Sequence, residues 1–390
     1  MKVLIFLTTF VLGNSKKEIE EVQPKFMFAR RGKANRPGFD IGTIMRRSPV
    51  AGDIGLEVEV EGNKFPKHEY QGHSSFHPEY IPKQWVYHKD GSLRGADNAE
   101  YVFRKPLKFD EVPKALDDLW DMFSKFGSVL DESNRTSVHV HLNVQRFHLN
   151  RLCSFLALYF SVEDILTQWC GEHRVGNLFC LRAVDAPAII SSLKKFLRTE
   201  SSGCLSSNGL HYAGLNAQAI TKLGSVEVRT LRGVSDPGVI LDWVSILERI
   251  YRLSADFPDP REICDNFSGH GPMEYLFTVL GDKTSLVKDG SGYNNQQIME
   301  SLYEGIRLAQ DLCYCRDWSE YEPVEVGKDP FKRPKKKVIE SIQSSFSDAH
   351  ADQIAQMIYS ENYFPSTSEP QTISHWTTYT VPTSDDGIPY

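Results

Sequence analysis

The chain has 390 residues, 41% of them hydrophobic, which is enough to bury a sizeable core in one large or two ordinary domains. Its formal net charge of −7 lacks the basic footprint of a non-specific nucleic-acid or anionic-membrane binder, so neither partner is expected. The seven cysteines are odd in number and irregularly spaced, which argues against a disulfide framework and for a reducing, cytoplasmic setting.

Residues 1–50 read as an irregular lead-in. The opening "MKVLIFLTTFVL" imitates the front of a secretory signal, but no small-x-small cleavage site follows and the run is too short to span a bilayer. Its β-branched and aromatic content fits a buried strand equally well. Gly and Pro then break any periodicity through "ARRGKANRPG" and "IMRRSP".

Residues 51–257 form the dense, expected catalytic region. "DIGLEVEVEG" alternates as a strand, "KQWVYHKDGSL" is a strand entering a tight Asp90-Gly91 turn, and "NAEYVFRKPL" is a strand closing at Pro106. Between the first two lies "KHEYQGHSSFHPEYIP", residues 67–82. It reads as a lid or substrate loop or, through His68, His73 and His77, as a metal tract. Asp110 is the expected N-cap of the helix "EVPKALDDLWDMFSKFG", with Leu116, Leu119, Trp120 and Phe123 at helical spacing and Gly127 as its stop. After the strand "SVHVHLNV" come two helices, "NRLCSFLALYFSVEDILTQWC" and "DAPAIISSLKKFLR". Two short strands, "HYAGLNAQAI" and "GSVEVRTLRG", then lead into a long helix from "DPGVILDW" to about residue 257. This order predicts an α+β fold, an antiparallel or mixed sheet with helices on one face.

Residues 258–360 are expected to form a helical C-terminal extension. In it "PDPREICDNFSGHGP" is a linker, residues 295–317 and 337–360 are helical, and "DPFKRPKKK" is a solvated joint. Cys313 and Cys315 have no second matching pair, so packed thiols are expected there rather than zinc. Residues 361–390, rich in Ser, Thr and Pro, read as a loosely ordered tail.

Four strands carry unusual polar faces. Glu57 and Glu59 share one side of β-alternating "GLEVEVEG", with Leu56, Val58 and Val60 behind them. Adjacent carboxylates repel, and a hard divalent cation between them removes that penalty; an acidic edge strand that resists aggregation is the alternative. Ser137, His139, His141 and Asn143 share the polar side of "SVHVHLNV", where two imidazoles serve as metal ligands or simply as hydrogen-bonded surface groups. Glu227 and Arg229 share a side of "GSVEVRTLRG": a metal carboxylate beside a phosphate-binding guanidinium, or an ordinary ion pair. Glu100 is a lone acid between apolar neighbours in "NAEYVF". Four such strands together read as the floor of one site.

In this order and strand placement the motifs "GLEVEVEG", "KDGSL" with Glu100 following, "SVHVHLNV", "HYAGLNAQAI" and "GSVEVRTLRGVSDP" resemble the amidoligase family, over roughly residues 50–257. These are carboxylate–amine ligases of the glutamine synthetase-like fold. The resemblance implies a curved antiparallel sheet that carries ATP and two or three divalent metals, Mg²⁺ or Mn²⁺, on its concave face. It also implies that Glu57, Glu59, Glu100 and Glu227 hold metal, that His139 lies near metal and phosphate, and that Arg229 neutralises the transferred phosphoryl group. His141 and Asn216 match further positions, in catalytic support and nucleotide binding. The fold uses no Gly-rich phosphate loop, and none is present. Members of this kind occur in bacterial viruses and mobile gene clusters, so a viral origin goes with the resemblance.

The expected reaction is the ATP-dependent joining of a small-molecule or peptide carboxylate to an amine through an acyl phosphate. Two alternatives stay open: a zinc hydrolase using His139, His141 and a glutamate, and a non-catalytic binding protein that keeps the fold.

Overall fold

Alternation of apolar and polar residues builds the central strands. The computed structural model describes residues 40–67, 78–93, 97–206 and 208–318. Its strands are β1 (Ile54–Asn63), β2 (Trp85–His88), β3 (Asn98–Phe103), β4 (Val129–Asp131), β5 (Ser137–Asn143), β6 (Leu215–Asn216) and β7 (Ser225–Arg232). They pair antiparallel in one sheet, ordered β2-β3-β1-β5-β7-β6, with β4 against the C-terminal end of β1. Leu56, Val58, Val60, Tyr101, Val138, Val140 and Val228 are buried, and the residues between them turn to the opposite side.

Helices α1 (Val112–Phe126), α2 (Leu149–Cys170), α3 (Ala188–Thr199) and α4 (Pro237–Leu253) follow the strands in turn. Contacts fix α1 and α4 on the apolar side of the sheet: Trp85 Nε1 donates to the Ala115 carbonyl at 2.8 Å, and Tyr251 Oη donates to the Asn143 carbonyl at 2.9 Å. Gly127 ends α1 in the left-handed region at φ 63°, as its sequence position predicts. The α1 N-cap is Glu111 rather than Asp110, because a 3-10 turn over Phe109–Glu111 shifts the helix start by one residue.

Apolar residues surround α2 on nearly all sides, which buries it between the sheet-covering layer and the later helices. Those are α5 (Arg261–His270), α6 (Pro272–Leu280), α7 (Thr284–Ser291) and α8 (Asn295–Cys313). α8 lies along α2, and Gly305 permits the contact, since a Cβ there would fall 2.4 Å from the Ser161 carbonyl oxygen. The helices up to residue 313 thus belong to the same compact unit as the sheet.

Three further local expectations are corrected. The expected linker after residue 258 contains α5, whose Ile263, Cys264 and Phe267 pack into the core. The expected strand "HYAGLNAQAI" contributes only Leu215–Asn216 to the sheet, between a 3-10 turn (Asn208–Tyr212) and a helical turn (Ala219–Lys222). The end of the lead-in is ordered: Ile41 is fully buried, and its amide donates to the Phe147 carbonyl at 2.8 Å.

The seven cysteines are free thiols. Cys313 is buried beside Cys153 and Cys264, and burial pushes its pKa well above the usual thiol range; no candidate metal group among the described residues includes a cysteine. No helix among the described residues is long and apolar enough to cross a membrane. The apolar N-terminal run, His68, His73 and His77, the basic joint, the expected helix at 337–360 and the tail lie outside the described residues.

Candidate functional site

Register gathers the polar side chains. The ladders set Glu100 opposite Glu59, Glu57 opposite His139, His141 opposite Glu227, and Asn216 opposite Glu227. Directly opposed residues share a face, so the residues nominated from sequence on β1, β3, β5, β6 and β7 meet on the side of the sheet away from α1 and α4.

Glu57 is the hub. Its Oε2 lies 2.9 Å from His139 Nδ1 and its Oε1 lies 3.0 Å from His141 Nε2, so each carboxylate oxygen engages a different imidazole. Burial raises the Glu57 pKa, but the hydrogen bonds from His139 and His141 outweigh it and hold the carboxyl well below the usual range. His141 shows the reciprocal balance: burial lowers its pKa, and the Glu57 and Glu227 carboxylates overcome that to raise it. Its Nδ1 meets Ser225 Oγ at 3.1 Å.

Glu59 is tied to the start of β5. The Ser137 amide and hydroxyl both donate to Glu59 Oε2, at 2.8 and 2.7 Å, and Ser137 Oγ also lies 2.8 Å from His139 Nε2. Only 3% of His139 is exposed, and both ring nitrogens are engaged. Glu227 accepts from Asn216 Nδ2 at 2.7 Å and from the Arg229 guanidinium. Burial raises its pKa, while His141, Arg229 and His139 together bring it below the usual value.

At Glu100 the balance goes the other way. Burial, followed by the negative charges of Glu57, Glu59 and Asp90, pushes its pKa up to about 8, since the lowering influence of Arg229 is the smallest of the causes acting on it.

Arg229 sits at an irregularity in the ladder. Val138 pairs with Leu231 and Val140 with Val228, so two steps along β5 match three along β7, and Arg229 and Thr230 together oppose His139. Bulges of this kind re-aim side chains and disrupt the ladder locally. The freed carbonyls of Arg229 and Thr230 accept from the buried Arg174 guanidinium, at 2.6 and 2.9 Å, while the Arg229 amide donates to the Gly214 carbonyl at 2.8 Å.

Among the described residues, three sets bring one possible donor atom from each member within 4.8 Å of the others in the set: Glu57, His141 and Glu227; Glu57, Glu100 and His139; and Glu59, Asp90 and Glu100. These oxygen-rich sets, each with at most one imidazole, match the donor preferences of Mg²⁺ or Mn²⁺. The concentration of like charge at Glu100 is what a bound divalent cation would relieve.

The eight nominated residues, Glu57, Glu59, Glu100, His139, His141, Asn216, Glu227 and Arg229, therefore come together. Asp90, Ser137, Ser225 and Arg174 join them without having been nominated as site residues, although sequence reads Asp90 as a turn residue and Ser137 as part of the polar side of β5. Asp90 follows two residues after His88, which pairs with Glu100, so the β2–β3 register brings a turn aspartate back to the acids. Ser137 shares the polar alternation of β5, a signal that was present. No protein-family model matches the chain, and no curated protein matches it.

Proposed function

We propose that the protein is an ATP-dependent carboxylate–amine ligase of the glutamine synthetase-like fold, working with Mg²⁺ or Mn²⁺ on small-molecule or peptide substrates in the cytoplasm. The observation that carries this reading is the shared sheet face on which four glutamates, two histidines and Arg229 converge, with donor groups spaced for cations. The free thiols favour the cytoplasmic setting.

A carboxylate and an amine do not condense unaided at neutral pH. In the proposed reaction a carboxylate oxygen of the substrate attacks the γ-phosphorus of ATP, ADP leaves, and the acyl phosphate is then attacked at its carbonyl by the amine. Phosphate departs and the nitrogen loses a proton. Divalent cations held by Glu57, Glu59, Glu100, Glu227 and His139 would neutralise the phosphate oxygens during the transfer. Arg229, anchored on Glu227, presents its guanidinium to the phosphoryl charge, and the Arg174 brace keeps its backbone in place. Glu57 orients both imidazoles at once, His139 toward the centre and His141 in support. Asn216 donates to Glu227 Oε2, and its role in this reading is to support the nucleotide.

The zinc-hydrolase alternative requires His139 and His141 on one ion. They belong to different candidate groups and engage opposite oxygens of Glu57, which favours the ligase. A non-catalytic role is disfavoured by the intact donor set.

Incubation with ATP, Mg²⁺ or Mn²⁺, and pooled amino acids, peptides and polyamines tests the proposal. Phosphate release that requires both an acid and an amine is expected. Metal-dependent hydrolysis without ATP would replace the ligase with the hydrolase.

A further inference from the structure

The segment between α2 and α3, residues 171–187, combines firm mounting with exposed apolar side chains. Gly176 takes a left-handed φ of 68°, and Asn177 Oδ1 accepts from the Phe179 amide at 2.9 Å, which shapes the turn. Arg174 bonds the carbonyls of Arg229 and Thr230, Glu163 Oε2 accepts from the Ala183 amide at 2.8 Å, and Arg182 pairs with Asp164 and Asp185. The Leu181 amide donates to the Tyr212 carbonyl at 2.8 Å, and the Gly214 amide donates to the Leu181 carbonyl at 2.7 Å. Despite these ties Leu178 is 72%, Phe179 56% and Tyr212 44% exposed. A loop held this tightly that still points large apolar groups at water is a preformed contact surface.

Its location identifies what it meets. Arg229 Nε donates to the Phe179 carbonyl at 3.4 Å, so the apolar surface adjoins the cationic edge of the acidic floor. The Phe179 and Tyr212 rings meet edge to face at 6.2 Å, and His211 packs on Tyr212 at 5.0 Å. An occupant that complements both features has a flat apolar end for the rings and an anionic end for Arg229. A purine nucleoside triphosphate has both.

We infer that Leu178, Phe179, His211 and Tyr212 form a stacking platform for the purine of the nucleotide whose phosphates reach Arg229. The platform presupposes the ATP-dependent reading above. It adds a specificity element outside the acidic floor, carried by residues that hold neither cation nor phosphate. Aromatic stacking of one base is worth on the order of 1–3 kcal/mol, about five- to 150-fold in affinity.

The test is calorimetric titration of the full chain in Mn²⁺ with adenosine 5′-(β,γ-imido)triphosphate and, separately, inorganic tripolyphosphate. The wild type should bind the nucleotide at least tenfold more tightly. Phe179→Ala and Tyr212→Ala should each weaken nucleotide binding about tenfold and leave tripolyphosphate unchanged, Phe179→Tyr should retain binding, and circular dichroism should report an intact fold. Equal wild-type affinity for the two ligands, or nucleotide affinity unchanged in both alanine variants, overturns the platform. A change in sedimentation without a change in nucleotide preference assigns the surface to a second copy of the chain and overturns it too. Binding of neither ligand by the wild type defeats the ATP reading itself, and the platform with it.

Discussion

The two sides of β1 and β5 are built on the same backbone and differ in what satisfies them. Leu56, Val58, Val60, Val138, Val140 and Leu142 are almost completely buried against helices, where contact is non-directional and volume decides the outcome. Glu57, Glu59, His139 and His141, one residue along in each case, are held by hydrogen bonds whose direction matters. The packed side is therefore expected to set stability, and the polar side the proposed chemistry. Substitutions on the two sides should separate the two properties.

The largest effect is expected at Glu57, whose replacement by Ala releases both imidazoles and removes an oxygen donor from two candidate groups. Activity should vanish and Mn²⁺ binding should be lost, while circular dichroism stays native. Full Mn²⁺ affinity in this variant would contradict the assignment of the polar side. Chelation of divalent cations should likewise lower the melting temperature of the wild type, and not of Glu57→Ala.

Next comes Arg229. Loss of one preorganised charge donor typically costs on the order of 10² to 10³ in rate, so Arg229→Ala should turn over that much more slowly with a nearly unchanged melting temperature. Arg229→Lys keeps the charge without the planar fork and should recover only part of the rate. Normal turnover with a lowered melting temperature would move Arg229 from the chemical to the structural side of the comparison.

Leu56→Ala makes the opposite prediction. Truncating a buried leucine costs about 2–5 kcal/mol of stability, measurable by urea denaturation. The Mn²⁺ affinity of the folded fraction should match the wild type; a parallel loss of affinity would mean that the two sides are not separable.

The smallest effect concerns an acid placed among packed groups. Burial pushes the Glu163 carboxyl up to about 8 from 4.5, against the opposing influence of the Ala183 amide and Arg182, with Asp185 and Asp164 adding to the rise. The folded state thus retains a proton that the unfolded chain has released. Its contribution to stability is full below about pH 4.5 and is lost as pH climbs through about 8. The stability of Glu163→Gln should fall less than that of the wild type between those limits, and parallel melting curves across pH would refute the shift.

Much of this arrangement was legible in the sequence wherever periodicity and function agreed. The alternation in "GLEVEVEG", "SVHVHLNV" and "GSVEVRTLRG" yields both the strands and the side on which the polar residues meet. Helix α5 was hidden because Pro258, Pro260, Gly269, Gly271 and Pro272 punctuate a short segment, although Ile263, Cys264 and Phe267 already carried helical spacing. The brevity of β6 and the approach of Asp90 to Glu59 depend on how distant strands pair, which local pattern does not encode.

The extra residue in β7 bears on how such a centre can be altered over generations. Val138–Leu231 and Val140–Val228 pair on the two sides of it, and both pairs keep their apolar members buried. Excision of Thr230 would match two steps with two and leave every flanking residue on its present side. The aim of the guanidinium is thus open to change by a single-codon deletion or insertion without inverting the rest of the strand. If Arg229 meets an anion as proposed, length variation at this point would change which anion it favours.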